Sequence, residues 1–203
     1  MNRRQIWTRE QRGEEASAWL LFAHKYTYLE QLSERHLTGM TRTFCIPEQA
    51  VTASAAGERI LLLLAAALME SFGIRCHATS EPEYAAVDGF VLDADRHAIV
   101  ANWVGTEGLW FVDVTENRST IREYVDAHQY VRAHSALAAD TPGRRLETLA
   151  SYLGLSWPSV TRRCAQLAEY GLAGMMEPRS RLLSLAGADR ACGFLGDLQP
   201  AGR

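Results

Sequence analysis

The sequence predicts an α+β fold in two parts, and three features of its pattern lead to that class. Apolar residues recur at helical spacing over 8–37 and 55–72, a tract rich in β-favouring residues and turns runs from 89 to 114, and helical spacing returns over 119–138. The pattern changes after 140–143, Asp-Thr-Pro-Gly, where proline and glycine together favour a linker. We therefore predict an N-terminal domain over 1–139, made of helices and a small antiparallel sheet, and a C-terminal domain over 140–203.

The second helical tract is the most apolar part of the chain. Its centre, ILLLLAAALM at 60–69, is apolar nearly all round, which predicts a buried helix from about Ala55 to Phe72. Gly73 suits the end of this helix, because glycine adopts the left-handed conformation that closes helices.

The middle tract predicts a meander. GFVLDADRHAIVANWV indicates two strands that meet at a turn near 93–96, and GLWFVDV supplies a third antiparallel strand. Aromatic side chains such as Trp103 and Trp110 are expected to be mainly core, and any that face outward could line a ligand pocket or a partner surface. STIREYVDAHQYVRAHSALA then predicts a further helix.

Composition places the protein among ordinary globular chains. Of 203 residues, 47% are hydrophobic and 22% charged, with a net charge of −3 that argues against unspecific coating of nucleic acid. The longest apolar run is about half of what a bilayer span needs, and the opening residues turn polar at once. We expect a cytoplasmic protein that does not enter a membrane. Charge is uneven, however: 1–139 carries a net −5 and 140–203 a net +2.

No catalytic or metal-binding motif is evident. The chain lacks GxSxG, a phosphate-binding glycine loop and HExxH, so we expect no enzyme, no catalytic residue and no cofactor. Its histidines and its four cysteines fit no known ligand spacing, so we expect no metal. The cysteines are interpreted as reduced core residues. Cys164 is interpreted as a small buried residue in preference to a redox switch.

The stretch LETLASYLGLSWPSVTRRCAQLAEYGL, at Leu146–Leu172, predicts two short helices joined by a turn. Leu149, Ala150 and Leu153 form the inward face of the first helix, and Gly154 provides the turn.

The second helix of this pair has a distinct start and two faces. Ser156 suits its N-cap, with the hydroxyl accepting an N–H group, and Pro158 is tolerated in the first turn. The residues predicted to face inward are Val160, Cys164, Leu167 and Ala168. Those left outside are Trp157, Ser159, Thr161, Arg162, Arg163 and Gln166. A short polar and basic face in this position favours contact with DNA base edges.

A β-hairpin is predicted behind the second helix. Its strands run from about Leu172 to Met176 and through Leu182 to Leu185, and Arg179 and Arg181 lie where they could reach phosphates.

This segment resembles the winged helix-turn-helix domains of bacterial transcription regulators, through LASYLGLSWPSVTRRCAQLAEYGL and RSRLLSL. The resemblance covers about a quarter of the chain. It implies that Ser156, Trp157, Ser159 and Arg162 lie toward bases, and that Arg163, Arg179 and Arg181 lie toward phosphate. A corner of helices used for protein contacts is the alternative interpretation. The region from IPEQAV to YVRAH resembles the effector region of actinobacterial antitoxin-like regulators, which pair with small partner proteins.

These observations predict a sequence-specific regulator that binds double-stranded operator DNA, foremost a repressor that acts as a homodimer. Dimers suit pseudo-palindromic sites, and the apolar N-terminal helices offer surface for one. The alternative is an antitoxin-like interaction module that binds a small protein partner, for which the acidic N-terminal region suits a basic protein. A small-molecule effector in the N-terminal domain also remains open.

Overall fold

A computed structural model describes residues 4–8, 26–27, 29–31, 39–86, 89–93, 96–101, 112–172 and 184–198. These residues form two compact units, each discontinuous in sequence. The sheet unit takes the described residues of 1–12, 38–53 and 73–138, and the helical unit takes those of 13–37, 54–72 and 139–203. The division differs from the predicted linear one because 54–72 belongs with the C-terminal residues.

The described elements mix helix and sheet, so the α+β class is confirmed. The strands are β1 (Arg4–Thr8), β2 (Thr41–Cys45), β3 (Arg75–Thr79), β4 (Gly89–Asp93), β5 (His97–Ala101) and β6 (Val112–Thr115). The helices are α1 (Glu48–Ala53), α2 (Ala56–Ser71), α3 (Arg118–Ala133), α4 (Pro142–Tyr152), α5 (Trp157–Tyr170) and α6 (Leu185–Asp197). A 3₁₀ turn covers Pro82–Ala86.

The six described strands form one sheet in the order β3-β2-β1-β4-β5-β6. The predicted meander is confirmed as β4, β5 and β6, which pair antiparallel. Three further strands join it: β1 pairs antiparallel with β4, and β1, β2 and β3 run parallel. The sheet is therefore larger and more mixed than predicted. The predicted helix over 8–37 is wrong at Thr8, which ends β1; residues 26, 27 and 29–31 are helical.

One helix covers one face of this sheet. Asn117 caps α3, because its side-chain oxygen accepts the N–H groups of Ser119 and Thr120 at 2.9 and 3.4 Å. Apolar residues of α3 and of the meander bury each other; they are Phe90, Leu92, Ala98, Val100, Ile121 and Val131.

A buried polar group lies beside this core. The ring of His128 lies between the hydroxyls of Thr41 and Thr43, each 3.4 Å from a ring nitrogen. The ring of His77 meets it edge-on with centroids 6.1 Å apart. Burial, and next the charge of Arg132, lower the pKa of His128 to about 4. At neutral pH the imidazole is therefore uncharged.

In the helical unit, α2 has the predicted bounds to within a residue, and Gly73 follows it with φ 75°. Helices α4 and α6 both pack on α2. Arg190 of α6 caps the C-terminal end of α2. Its Nε donates to the Ser71 hydroxyl and its Nη2 to the Ser71 carbonyl, both at 2.9 Å. Its guanidinium carbon lies 3.9 Å from the centre of the Phe72 ring.

A fully buried ion pair joins α2 to α4. The guanidinium of Arg145 donates to both carboxylate oxygens of Glu70 at 2.7 Å, and its Nη1 donates to the carbonyls of Ala139 and Asp140 at 2.9 Å. The side chains are 5% and 2% exposed, so neither charge has water to solvate it. This pair thus fixes the start of α4 against the apolar helix.

No helix in the described part of the chain is long and apolar enough to cross a membrane.

Candidate nucleic-acid interface

The first helix of the predicted pair, α4, has a defined start and a defined stop. Thr141 accepts the N–H of Arg144 at 3.3 Å, and Pro142 occupies the first turn. The helix begins four residues before Leu146, where the quoted stretch starts. Its predicted inward residues are buried, as is Leu146.

The turn after α4 is held by backbone hydrogen bonds. Leu155 N–H donates to Ala150 O at 2.8 Å and Gly154 N–H to Ser151 O at 3.0 Å, the two bonds of a Schellman motif. Gly154 has φ 64°, a conformation that side chains with a Cβ rarely adopt. The predicted turn at Gly154 is confirmed, and its geometry fixes the direction in which α5 leaves.

Arg59 of α2 supports the same turn, and the sequence did not reveal it. Its Nη1 donates to Leu153 O at 2.9 Å. A Cβ at Gly154 would lie 3.0 Å from that nitrogen, so the guanidinium fills the space that the glycine leaves. An arginine next to a long apolar run, as in GERILLLL, was the available signal, because such a charge needs a partner.

The second helix, α5, begins at Trp157 with Ser156 as its N-cap residue. The predicted cap bond is wrong: the Ser156 hydroxyl donates to Ser159 Oγ at 3.0 Å and accepts no backbone N–H. Pro158 lies in the first turn as predicted.

The structure confirms most of the predicted outer face and corrects one member. Thr161 was predicted outside, but it is fully buried, and its hydroxyl donates to Trp157 O at 3.0 Å. Trp157 is half-buried. The predicted residues that are exposed are Ser156, Ser159, Arg162, Arg163 and Gln166.

The inward face of α5 is rotated from the predicted one. Cys164 is buried as predicted and Ala168 is exposed, whereas Ala165 is half-buried. The cause is α6, which packs closely along α5: a Cβ at Gly196 would lie 2.8 Å from Ala165 Cα. We predicted no helix over 185–197, so no neighbouring element was expected on the side of Thr161 and Ala165.

The predicted hairpin falls almost wholly on residues 173–183, outside the described part of the chain, and so do Arg179 and Arg181. Its predicted end at Leu185 is wrong, because Leu185 is the first residue of α6. The Ser184 hydroxyl accepts the Gly187 N–H at 2.9 Å and caps the start of that helix.

The exposed face of α5 is basic. No described carboxylate lies within ion-pair distance of Arg162 or Arg163, and Arg163 Nη1 lies 3.4 Å from Gln166 Oε1. Arg144 of α4, by contrast, pairs with Glu147 at 3.1 Å. The face thus offers two guanidinium groups, one amide and two hydroxyls as hydrogen-bond donors.

Cys164 lies beneath this face as a free, buried thiol. A hydrogen bond with Cys192 of α6, together with burial, raises its pKa, so the reactive thiolate is scarce. All four cysteines are free and buried, as predicted for core residues. Among the described residues no three of His, Cys, Asp or Glu are grouped as metal ligands.

The described surface is therefore a glycine turn, fixed by α2, that presents the polar and basic face of α5. Comparison with known proteins adds no relative: no protein-family model, no curated protein and no solved structure matches the chain.

Proposed function

We propose that the protein binds duplex DNA sequence-selectively and regulates transcription, foremost as a dimeric repressor. One observation carries the proposal: a Schellman turn at Gly154 joins α4 to α5, and the N-terminal half of α5 exposes Ser159, Arg162 and Arg163. In helix-turn-helix proteins the helix after the turn enters the major groove with its first residues against base edges. In this proposal the module is a winged helix-turn-helix domain.

The residue types on α5 suit base reading and phosphate binding. An arginine donates two hydrogen bonds to guanine O6 and N7, and a glutamine pairs with adenine N6 and N7. We assign the first role to Arg162 and the second to Gln166. We assign contacts with DNA phosphates to Arg163, Arg179 and Arg181. Thr161 has no role at the DNA, because it is buried.

Fluorescence anisotropy on the DNA upstream of the gene and on a scrambled duplex, over a series of salt concentrations, tests the proposal. We expect tighter binding to the upstream DNA. Arg162→Ala should cost about 1–3 kcal/mol and reduce the preference between the two duplexes. Arg163→Ala should weaken binding to both duplexes alike. It should also reduce the slope of log affinity against log salt concentration by about one.

Arg122→Ala is the matched control, since Arg122 is exposed on α3 of the other unit. It should leave both affinities unchanged. Equal, weak binding of both duplexes by the native protein would contradict the proposal.

A protein-interaction module is the second candidate, and an exposed aromatic group favours it. Tyr130 is 43% exposed, stacks on Tyr84 and on His134 with centroids 6.0 and 4.2 Å apart, and donates to Glu81 Oε1 at 3.3 Å. Exposed tyrosines are enriched at protein interfaces, and the carboxylate suits a basic protein. Retention of a small basic protein by the native chain, lost in Tyr130→Ala and kept in Tyr170→Ala, would support this function.

A further inference from the structure

The edge strand β6 exposes two valine side chains. It pairs with β5 along one side and ends the sheet among the described strands. Val112 and Val114 are 62% and 60% exposed. Such an edge offers backbone N–H and C=O groups to another strand, and proteins usually block it with charged side chains, above all lysine, with proline or with a bulge. The sequence of β6, VDVT, contains no lysine or proline, and Asp113 is its one charged residue.

The exposed valines continue an apolar row that crosses the sheet. Val91 pairs with Ile99, and Ile99 pairs with Val114. Directly opposite residues point to the same face. The residues that pack against α3 are the alternate ones, Phe90, Leu92 and Val100. The row therefore lies on the face away from α3 and reaches the open edge at Val114.

We propose that β6 pairs antiparallel with β6 of a second copy of this chain, around a two-fold axis at Val114. A two-fold axis perpendicular to the sheet keeps each face on one side, so opposite residues must belong to the same face. An axis that passes through a residue meets this condition. Of such axes, those at Asp113 and Val114 pair the largest number of β6 residues.

Charge decides between the two registers. An axis at Asp113 sets this carboxylate against its own copy, and like charges directly opposite each other destabilise a pair. An axis at Val114 sets Val114 against Val114, Asp113 against Thr115 and Val112 against Glu116, and the apolar row continues into the second sheet. The pairing rests on the proposed function only in that it supplies the dimer of that regulator.

Single cysteines test the register in the full chain. Opposite residues of an antiparallel pair lie about 4.5–5.5 Å apart between Cα atoms, within reach of a disulfide. Oxidised glutathione should therefore convert Val114→Cys to a covalent dimer. Val112→Cys should form no covalent dimer, because its two copies are roughly 13 Å apart along the strands. The native chain, whose four thiols are buried, gives the background.

Asp113→Cys distinguishes the registers, since it cross-links only around an axis at residue 113. Dominant cross-linking of Asp113→Cys, equal cross-linking of all three variants, or none above background would each overturn the proposal.

Sedimentation gives an independent measurement without a new thiol. Val114→Lys should raise the Kd of the dimer by about tenfold or more, since it places two ammonium groups together at the axis. Val112→Lys is the matched control: it introduces the same residue beside Glu116 of the partner, so the dimer should persist. A native chain that sediments as a monomer, or equal effects of the two lysines, would contradict the pairing. If the protein binds DNA but forms no dimer, only this pairing is contradicted. If it forms the dimer but does not bind DNA, only the proposed function is contradicted.

Discussion

At the scale of single residues, the buried ion pair of Glu70 and Arg145 shows how strongly one side chain depends on another. Burial removes water from both charges, and the mutual hydrogen bonds and the bonds to two backbone carbonyls help to offset that loss. Each residue is therefore expected to be far more costly to remove singly than jointly.

We predict that Arg145→Leu lowers the free energy of unfolding by about 3–5 kcal/mol, because it removes the guanidinium that makes two hydrogen bonds to the buried Glu70 carboxylate. The double variant Glu70→Leu/Arg145→Leu should recover most of this loss. Urea unfolding followed by circular dichroism measures both. Arg144→Leu, which removes an exposed partner of Glu147, is the control and should change stability by less than about 1 kcal/mol. Equal losses in the single and double variants would show that the charges are not coupled.

His128 provides a pH dependence. Its pKa is lowered in the folded state, so the unfolded chain takes up this proton first as the pH falls below about 6.5. Stability is therefore lost between about pH 6.5 and 4, and about 2 kcal/mol of it by pH 5. His128→Gln should lack this contribution, so its unfolding free energy should change less between pH 7 and 5. Parallel pH profiles of the native and variant proteins, in urea unfolding, would contradict the assignment.

At the scale of elements, the contact of α5 with α6 decides which face of α5 is exposed. Gly196→Ala should destabilise the protein by about 1–3 kcal/mol, since the new methyl would meet the Ala165 backbone. Gly193→Ala, in the same helix, meets nothing within 4 Å and should stabilise by about 0.5–1 kcal/mol. Thermal unfolding compares the two. If both alanines shift Tm in the same direction, the close approach of these helices is incorrect.

The same contact marks the limit of what the sequence could predict. Helices with a clear period and a glycine stop were found nearly to the residue, as for α2 and the turn at Gly154. Strands β1 to β3 pair with residues far along the chain, and such pairing leaves little local signal. Thr161 looked exposed because it is polar, yet its hydroxyl is satisfied by its own helix. A buried threonine of this kind is apparent only once α6 is placed.

At the scale of the whole molecule, each unit is built from segments that alternate along the sequence. The segment 140–203 was predicted to be a domain, but its Arg145 pairs with Glu70 of α2, and its turn accepts a hydrogen bond from Arg59 of α2. We predict that this fragment alone shows no cooperative unfolding in a circular dichroism melt. A chain that joins 13–37, 54–72 and 139–203 by short Gly/Ser linkers should regain it. A cooperative melt of 140–203 by itself would restore the linear division.

The discontinuity also sets a timetable for synthesis. The ribosome adds roughly 5–20 residues per second. Residue 72, the end of α2's segment, is therefore made about 6–25 s before residue 198, at the end of the described C-terminal part. During that interval α2, the most apolar helix of the chain, lacks α4 and α6, which pack on it in the folded protein. The described residues of the sheet unit, by contrast, have all been synthesised once residue 138 is added. We expect the nascent protein to need chaperone protection at this stage, and slower translation of 139–198 to increase its aggregation.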